Sequence, residues 1–128
     1  MPDYTTDIRN DRMEIVNTAA SGGSLLLYTG PKPAPGGAGT TVLGSFDLQT
    51  PAGTVSAGVL TFTDPPDVAV VANGTAVWAR IVDSSDAWVG DFTVSNLSGS
   101  GEIRLTDVNL LTGMILDVVT LSITEGNP

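Results

Sequence analysis

Residues 74–94, Gly-Thr-Ala-Val-Trp-Ala-Arg-Ile-Val-Asp-Ser-Ser-Asp-Ala-Trp-Val-Gly-Asp-Phe-Thr-Val, constrain this chain more than any other stretch. Apolar and polar side chains alternate with a period of two, which a strand satisfies and a helix does not. Val77, Ala79 and Ile81 fall on one face of the first half, with Ala76, Trp78, Arg80 and Val82 on the other. After the polar turn Asp83-Ser-Ser-Asp86, one side carries Trp88, Gly90, Phe92 and Val94, and the opposite side Val89, Asp91 and Thr93. The segment predicts a hairpin that holds both tryptophans of the chain. Trp88, aligned with Phe92 and Val94, is expected in the core. Trp78 alternates with Arg80, so it is expected between core and contact surface, where both residue types are enriched.

The same alternation recurs along the chain. It predicts strands at 24–29, 41–48, 58–63, 68–72, 75–82, 87–94, 101–106 and 114–124, spaced about ten residues apart with turn signals between them. In the last of these, Ile115, Val119, Leu121 and Ile123 share a face that Asp117 interrupts. The Pro- and Gly-rich run 30–39, around Lys32, lacks donors and costs entropy to order, so it is expected as an exposed loop. Residues 6–20 form the one helical pattern, with Thr6 or Asp7 as cap and Ser21-Gly-Gly23 as stop. Ile8, Ile15, Val16 and Ala19, flanked by Met13 and Ala20, are its expected inward side. The helix then closes one end of the β-body, or else serves as an arm that docks on a neighbouring subunit. The expected architecture is all-β: a β-sandwich, with jelly roll or barrel as variants, of about eight short antiparallel strands. Residues 1–23 make an N-terminal arm and helix, and 24–128 a single β-domain.

Composition removes whole classes of chemistry. With no histidine and no cysteine, Ser-His-Asp or Cys-His catalysis and an ordinary zinc site are excluded. Carboxylate pairs remain, from Asp83, Asp86 and Asp91 or from Asp64 and Asp67, but turn aspartates commonly bond their own backbone. The pattern Asp83-Ser-Ser-Asp86, with Asp91 across the hairpin, has oxygens for a structural calcium ion but lacks the Asp-x-Asp-x-Asp-Gly loop. The expectation is a non-enzymatic protein without cofactor or metal. A formal charge of −9, with one lysine and scattered Arg9, Arg12, Arg80 and Arg104, argues against nucleic acid or an anionic membrane as partner. Met1–Asp7 lacks the basic start and apolar run of a signal peptide, so the chain is expected to be made in a cytoplasm.

Five segments in order, Ile8–Ile15, Leu25–Pro33, Gly58–Phe62, Gly74–Val82 and Val119–Gly126, resemble small structural proteins of tailed bacteriophages and prophages. The resemblance implies a virion component on the capsid exterior, assembled in the host cytoplasm. Its most direct reading is a decoration or cement protein that binds the major capsid protein and forms a trimer or dimer. A tail-associated structural protein, or a carbohydrate-binding module using Trp78 or Tyr28, are the alternatives. Contact residues are expected in the N-terminal arm (Tyr4, Ile8, Arg9, Arg12), around Lys32, and at Trp78 with Arg80.

Overall fold

The structure, a computed structural model, describes residues 4–39, 41–63, 66–101, 103–116 and 118–124. Asp64, Asp117 and the side chains of Val119 and Leu121 lie outside the described residues. Helix α1 (Thr6–Ala20) is followed by β1 (Ser24–Tyr28), β2 (Val42–Asp47), β3 (Gly53–Ser56), β4 (Val59–Phe62), β5 (Val68–Ala69) and β6 (Gly74–Thr75). The chain continues through β7 (Trp78–Val82), β8 (Trp88–Asn96), β9 (Ile103–Leu105), β10 (Asn109–Leu110), β11 (Ile115–Leu116) and β12 (Val118–Thr124). The all-β expectation holds, with more and shorter strands than the alternation suggested. Residues 53–56 and 109–110 are strands it did not mark, and 75–82 and 114–124 each divide in two.

Eight strands form one hydrogen-bonded sheet in the order β2-β1-β7-β8-β9-β12-β4-β3. All neighbours are antiparallel except β8 and β9, which run parallel, so the expectation of a purely antiparallel sheet is corrected. A parallel pair normally needs a long crossover. Here only Val94–Asn96 pair with β9, so Asn96 and Ile103 are separated by only about 10 Å. Asn96 Oδ1 anchors that loop by accepting from the backbone N–H of Ser98 and Gly99.

One core runs through the whole sheet. Leu25, Leu27, Leu43, Phe46, Leu60, Ala79, Ile81 and Ile103 are completely buried in a single cluster, which Met13 and Ala20 of α1 join. Two ribbons outside the main sheet, β5 with β11 and β6 with β10, add Val70, Leu110 and Leu116 to this cluster.

The helix occupies its predicted span, and Met13, Val16 and Ala20 of its expected inward side do pack on the core, but it is turned so that Ile8 and Ile15 face out. Thr5, not Thr6 or Asp7, is the N-cap, accepting from Ile8 N–H. Met13, Asn17 and Ala20 face inward, while Ile8 is 45% and Ile15 70% exposed. Asn17 sets this orientation. Its Oδ1 accepts from Gly53 N–H at 3.0 Å and its Nδ2 donates to Gly53 O at 3.0 Å, so the side-chain amide pairs with edge strand β3 as a neighbouring strand would. Asn10 Oδ1 accepts from Gly58 N–H at 2.7 Å in the turn after β3. A Cβ at Gly53 would collide with the backbone of Thr61 and Phe62, so only glycine lets β3 approach β4 this closely.

Candidate functional site

The largest concentration of polar and aromatic groups lies on the outer face of β1, β7 and β8. Tyr28 pairs with Trp78, and Trp78 with Thr93, while Arg80 stands opposite Asp91. Cross-strand neighbours on one face are close enough for their side chains to meet. Tyr28 and Trp78 stack with ring centroids 4.3 Å apart and planes 9° from parallel. The Arg80 guanidinium lies 5.1 Å from the Trp78 ring centroid, within range of a cation–π contact. Asp91 then holds Arg80 through Nε at 2.7 Å and Nη2 at 3.2 Å.

Trp88 joins this group because of a β-bulge. Ile81 pairs with Gly90, but Val82 pairs with Trp88, so Val89 is an extra residue on β8. An inserted residue moves the next side chain to the other face of the sheet. Val89 therefore packs against the core, while Trp88 turns outward, 50% exposed, and donates its Nε1–H to Asp91 at 3.0 Å. This corrects the expectation of a core Trp88. Of the two places open to Trp78, core and contact surface, it takes the core: it is completely buried, with Nε1–H donated to Thr29 O.

Tyr28 and Arg80 lie on Trp78, and the loop 30–39 is fastened to the groups around it. Arg80 Nη2 donates to Gly37 O at 2.6 Å, and Gly36 N–H donates to Asp91 Oδ2 at 3.2 Å. Gly36, with φ of 75°, lies against the Trp88 ring, and Gly39 packs so tightly on Tyr28 that any Cβ there would overlap the ring. The loop, exposed along much of its length as expected, is thus a strap tied down by one ion pair. Burial alone would raise the Asp91 carboxyl; hydrogen bonds from Arg80, Trp88 and Gly36, with the Arg80 charge, outweigh it and hold the group below its ordinary range. Among the described residues, every buried side-chain polar atom has a hydrogen-bond partner. The cluster is a clasp, with its donors and acceptors matched to one another.

The other predicted residues disperse. Asp83 accepts from the N–H groups of Ser85 and Ala87, and Asp86 sits at a positive φ, as turn residues do. Among the described residues no group of three acidic side chains is arranged to hold a metal ion. In the N-terminal arm the Arg12 guanidinium lies over the Tyr4 ring, and Arg9 lies against Gly58. Lys32 is exposed on the strap. Within the single chain Trp78 is fully buried and the Arg80 side chain is 12% exposed and bound to the strap at Gly37.

Apolar patches remain open at the surface. Along α1, Ile8, Ile15 and the half-buried Ala19 form a stripe nearly opposite Met13 and Asn17, bordered by Asp11 and Glu14 at an open depression. Ile8 and Ile15, which periodicity assigned to the core beside Val16, are the residues the helix shows to solvent. Across β5 and β11, Val71, Leu111 and Ile115 are 65%, 61% and 67% exposed. No helix among the described residues is long and apolar enough to cross a membrane. Comparison with protein-family models, with curated proteins and with solved structures finds no match to this chain.

Proposed function

We propose that this protein is a non-enzymatic structural component of a tailed-phage virion, which binds the outer surface of the head as a decoration or cement protein. The observation that carries the reading is the outward stripe of α1. A stripe of Ile8, Ile15 and Ala19 on a helix pinned by its other face is a ready surface for a shell subunit to cover. Tyr4 and Arg12, near the start of the same helix, extend it with an aromatic and a cation. The acidic balance suits an exterior position, because a charge of −9 is repelled by packaged nucleic acid. The resemblance of five ordered segments to virion proteins supplies the biological setting. Under this reading, β2-β1-β7-β8 and β9-β12-β4-β3 act as the two layers of a sandwich, and many copies on a lattice add avidity to a modest individual contact.

A tail-associated structural role is the second reading from the same resemblance. The glycan-binding alternative is weaker, since Tyr28 and Trp78 stack on each other and are buried.

The test is to incubate the purified protein with heads assembled without it, then to separate particles from free protein and image them. The expected result is co-sedimentation with density on the outer face of the major capsid protein, abolished by Ile15→Lys. Density confined to tails, or no association with heads, would overturn the assignment.

A further inference from the structure

Residues 31–35 of the strap, Pro-Lys-Pro-Ala-Pro, are restricted by covalent geometry alone. Each proline ring fixes φ at about −65°, and Lys32 and Ala34, each followed by proline, are pushed into extended backbone. Five successive residues are thereby placed in the polyproline II region before any tertiary contact is made. The exposure of the strap agrees. Gly30 and Pro33 are half-buried, while Pro31, Lys32, Ala34 and Pro35 are exposed. A helix of about three residues per turn gives this spacing when one edge lies on the body and two look out.

Both ends of the segment are held. Thr29 N–H donates to Thr41 O at its start. At its end Gly37 N–H donates to Ala34 O at 2.7 Å, closing a turn with Pro35 second and Gly36 third. The φ of 75° at Gly36 is what a type II turn requires there. Gly36 and Gly37 then fasten to Asp91 and Arg80, so the clasp uses the glycines and leaves the prolines outside it. Pro31, Pro33 and Pro35 have no N–H. Among the described residues, the carbonyls of Pro31, Lys32 and Pro33 accept no hydrogen bond. What faces out is a rigid strip of proline rings and open acceptors, with the single lysine of the chain near its centre.

That combination defines its complement. Proline rings pack on flat aromatic rings, and the open carbonyls need donors carried on such rings, as Trp Nε1–H and Tyr O–H are. Lys32 needs a carboxylate beside them. A segment already in its bound conformation also loses little entropy on docking. We infer that residues 31–35 dock in an aromatic-lined groove with an acidic rim on a second protein, and that the Arg80–Asp91 clasp holds them ready for it. The inference does not depend on whether a head or a tail component supplies the groove.

An SH3 domain, which carries a groove of this kind, is the probe. The full-length protein is titrated into the isotope-labelled domain while amide and indole signals of the domain are followed. The expected result is a set of shifts confined to the aromatic groove that saturates at millimolar protein. Lys32→Glu and Pro31→Ala, both at exposed positions, are each expected to weaken binding about tenfold while keeping thermal midpoints close to wild type. A free peptide of residues 30–37 and the full-length Asp91→Asn variant, with its clasp weakened, bind about tenfold less tightly than wild type, because each must order the segment on binding. Where Asp91→Asn fails to fold, the peptide carries the comparison. Shifts that never appear, that lie outside the groove, or that persist equally with Lys32→Glu and Pro31→Ala overturn the inference. A peptide that binds as tightly as the intact protein overturns the role given to the clasp.

Discussion

Asp91 shows how much one side chain can organise. Its carboxylate receives Arg80, Trp88 and the backbone of Gly36, and through Arg80 it reaches Gly37. With side-chain exposures of 3% for Asp91 and 12% for Arg80, this pair is screened by the protein and not by bulk water. Replacing Asp91 with Ala leaves a buried guanidinium without its partner and is expected to cost about 3 kcal/mol in urea unfolding. The pH dependence follows from the lowered carboxyl pKa. A group ionising more easily in the folded state adds stability above its unfolded pKa of about 3.9, and loses it as pH falls through the lower folded value. Acid titration of the wild type should therefore show a loss beginning near pH 4 that is smaller in Asp91→Asn, whose side chain does not titrate. An acid limb identical in both proteins would remove Asp91 as its source. The two tryptophans give a separate readout. In Trp88→Phe the remaining emission comes from Trp78 and is expected to be blue-shifted and shielded from acrylamide, whereas red-shifted, quenchable emission would mean that Trp78 is not buried.

At the scale of elements, α1 is held as much by polar geometry as by apolar burial. Met13 is its one large fully inward apolar side chain, with Val16 partly buried beside it. The Asn17 amide occupies hydrogen-bonding groups that an edge strand otherwise offers to another chain. Three substitutions separate this arrangement from an ordinary amphipathic helix. Asn17→Ala leaves the Gly53 backbone groups without their partner and is expected to cost about 2 kcal/mol. Met13→Ala empties a core position and is expected to cost about 3 kcal/mol. Ile15→Ala, on the exposed stripe, is expected to stay within about 0.5 kcal/mol of wild type. Denaturant midpoints at constant m-value check all three. A large loss from Ile15→Ala would mean that the stripe faces the core after all.

For the whole molecule, the dominant quantity is charge. At −9, negative groups repel one another across the compact state, a penalty that salt reduces. The thermal midpoint should rise with added sodium chloride, by about 4 °C for each kcal/mol of relieved repulsion. A midpoint independent of salt would show that the charges are spaced widely enough for water to screen them.

The helix at 6–20 and the central hairpin were legible in the residues, because caps, glycine stops and a period of two are local properties. The clasp was half legible. Arg80 and Asp91 alternate onto matching faces in any antiparallel hairpin, but nothing nearby signals that residues 36–39 return to cover them. Trp88 was assigned to the wrong face because the bulge at Val89 depends on how β8 settles against β7, and the extra residue reverses Trp88 relative to Gly90 and Phe92. Ile15 was misplaced for a similar reason. Its helix has two partly apolar sides, and the choice between them was made by an asparagine pairing with a glycine 36 residues away. Short-range periodicity and the exclusion of histidine and cysteine chemistry thus belong to the sequence alone. Which faces are covered and which stay open was decided only by tertiary structure, because that choice depends on register and on contacts between distant segments.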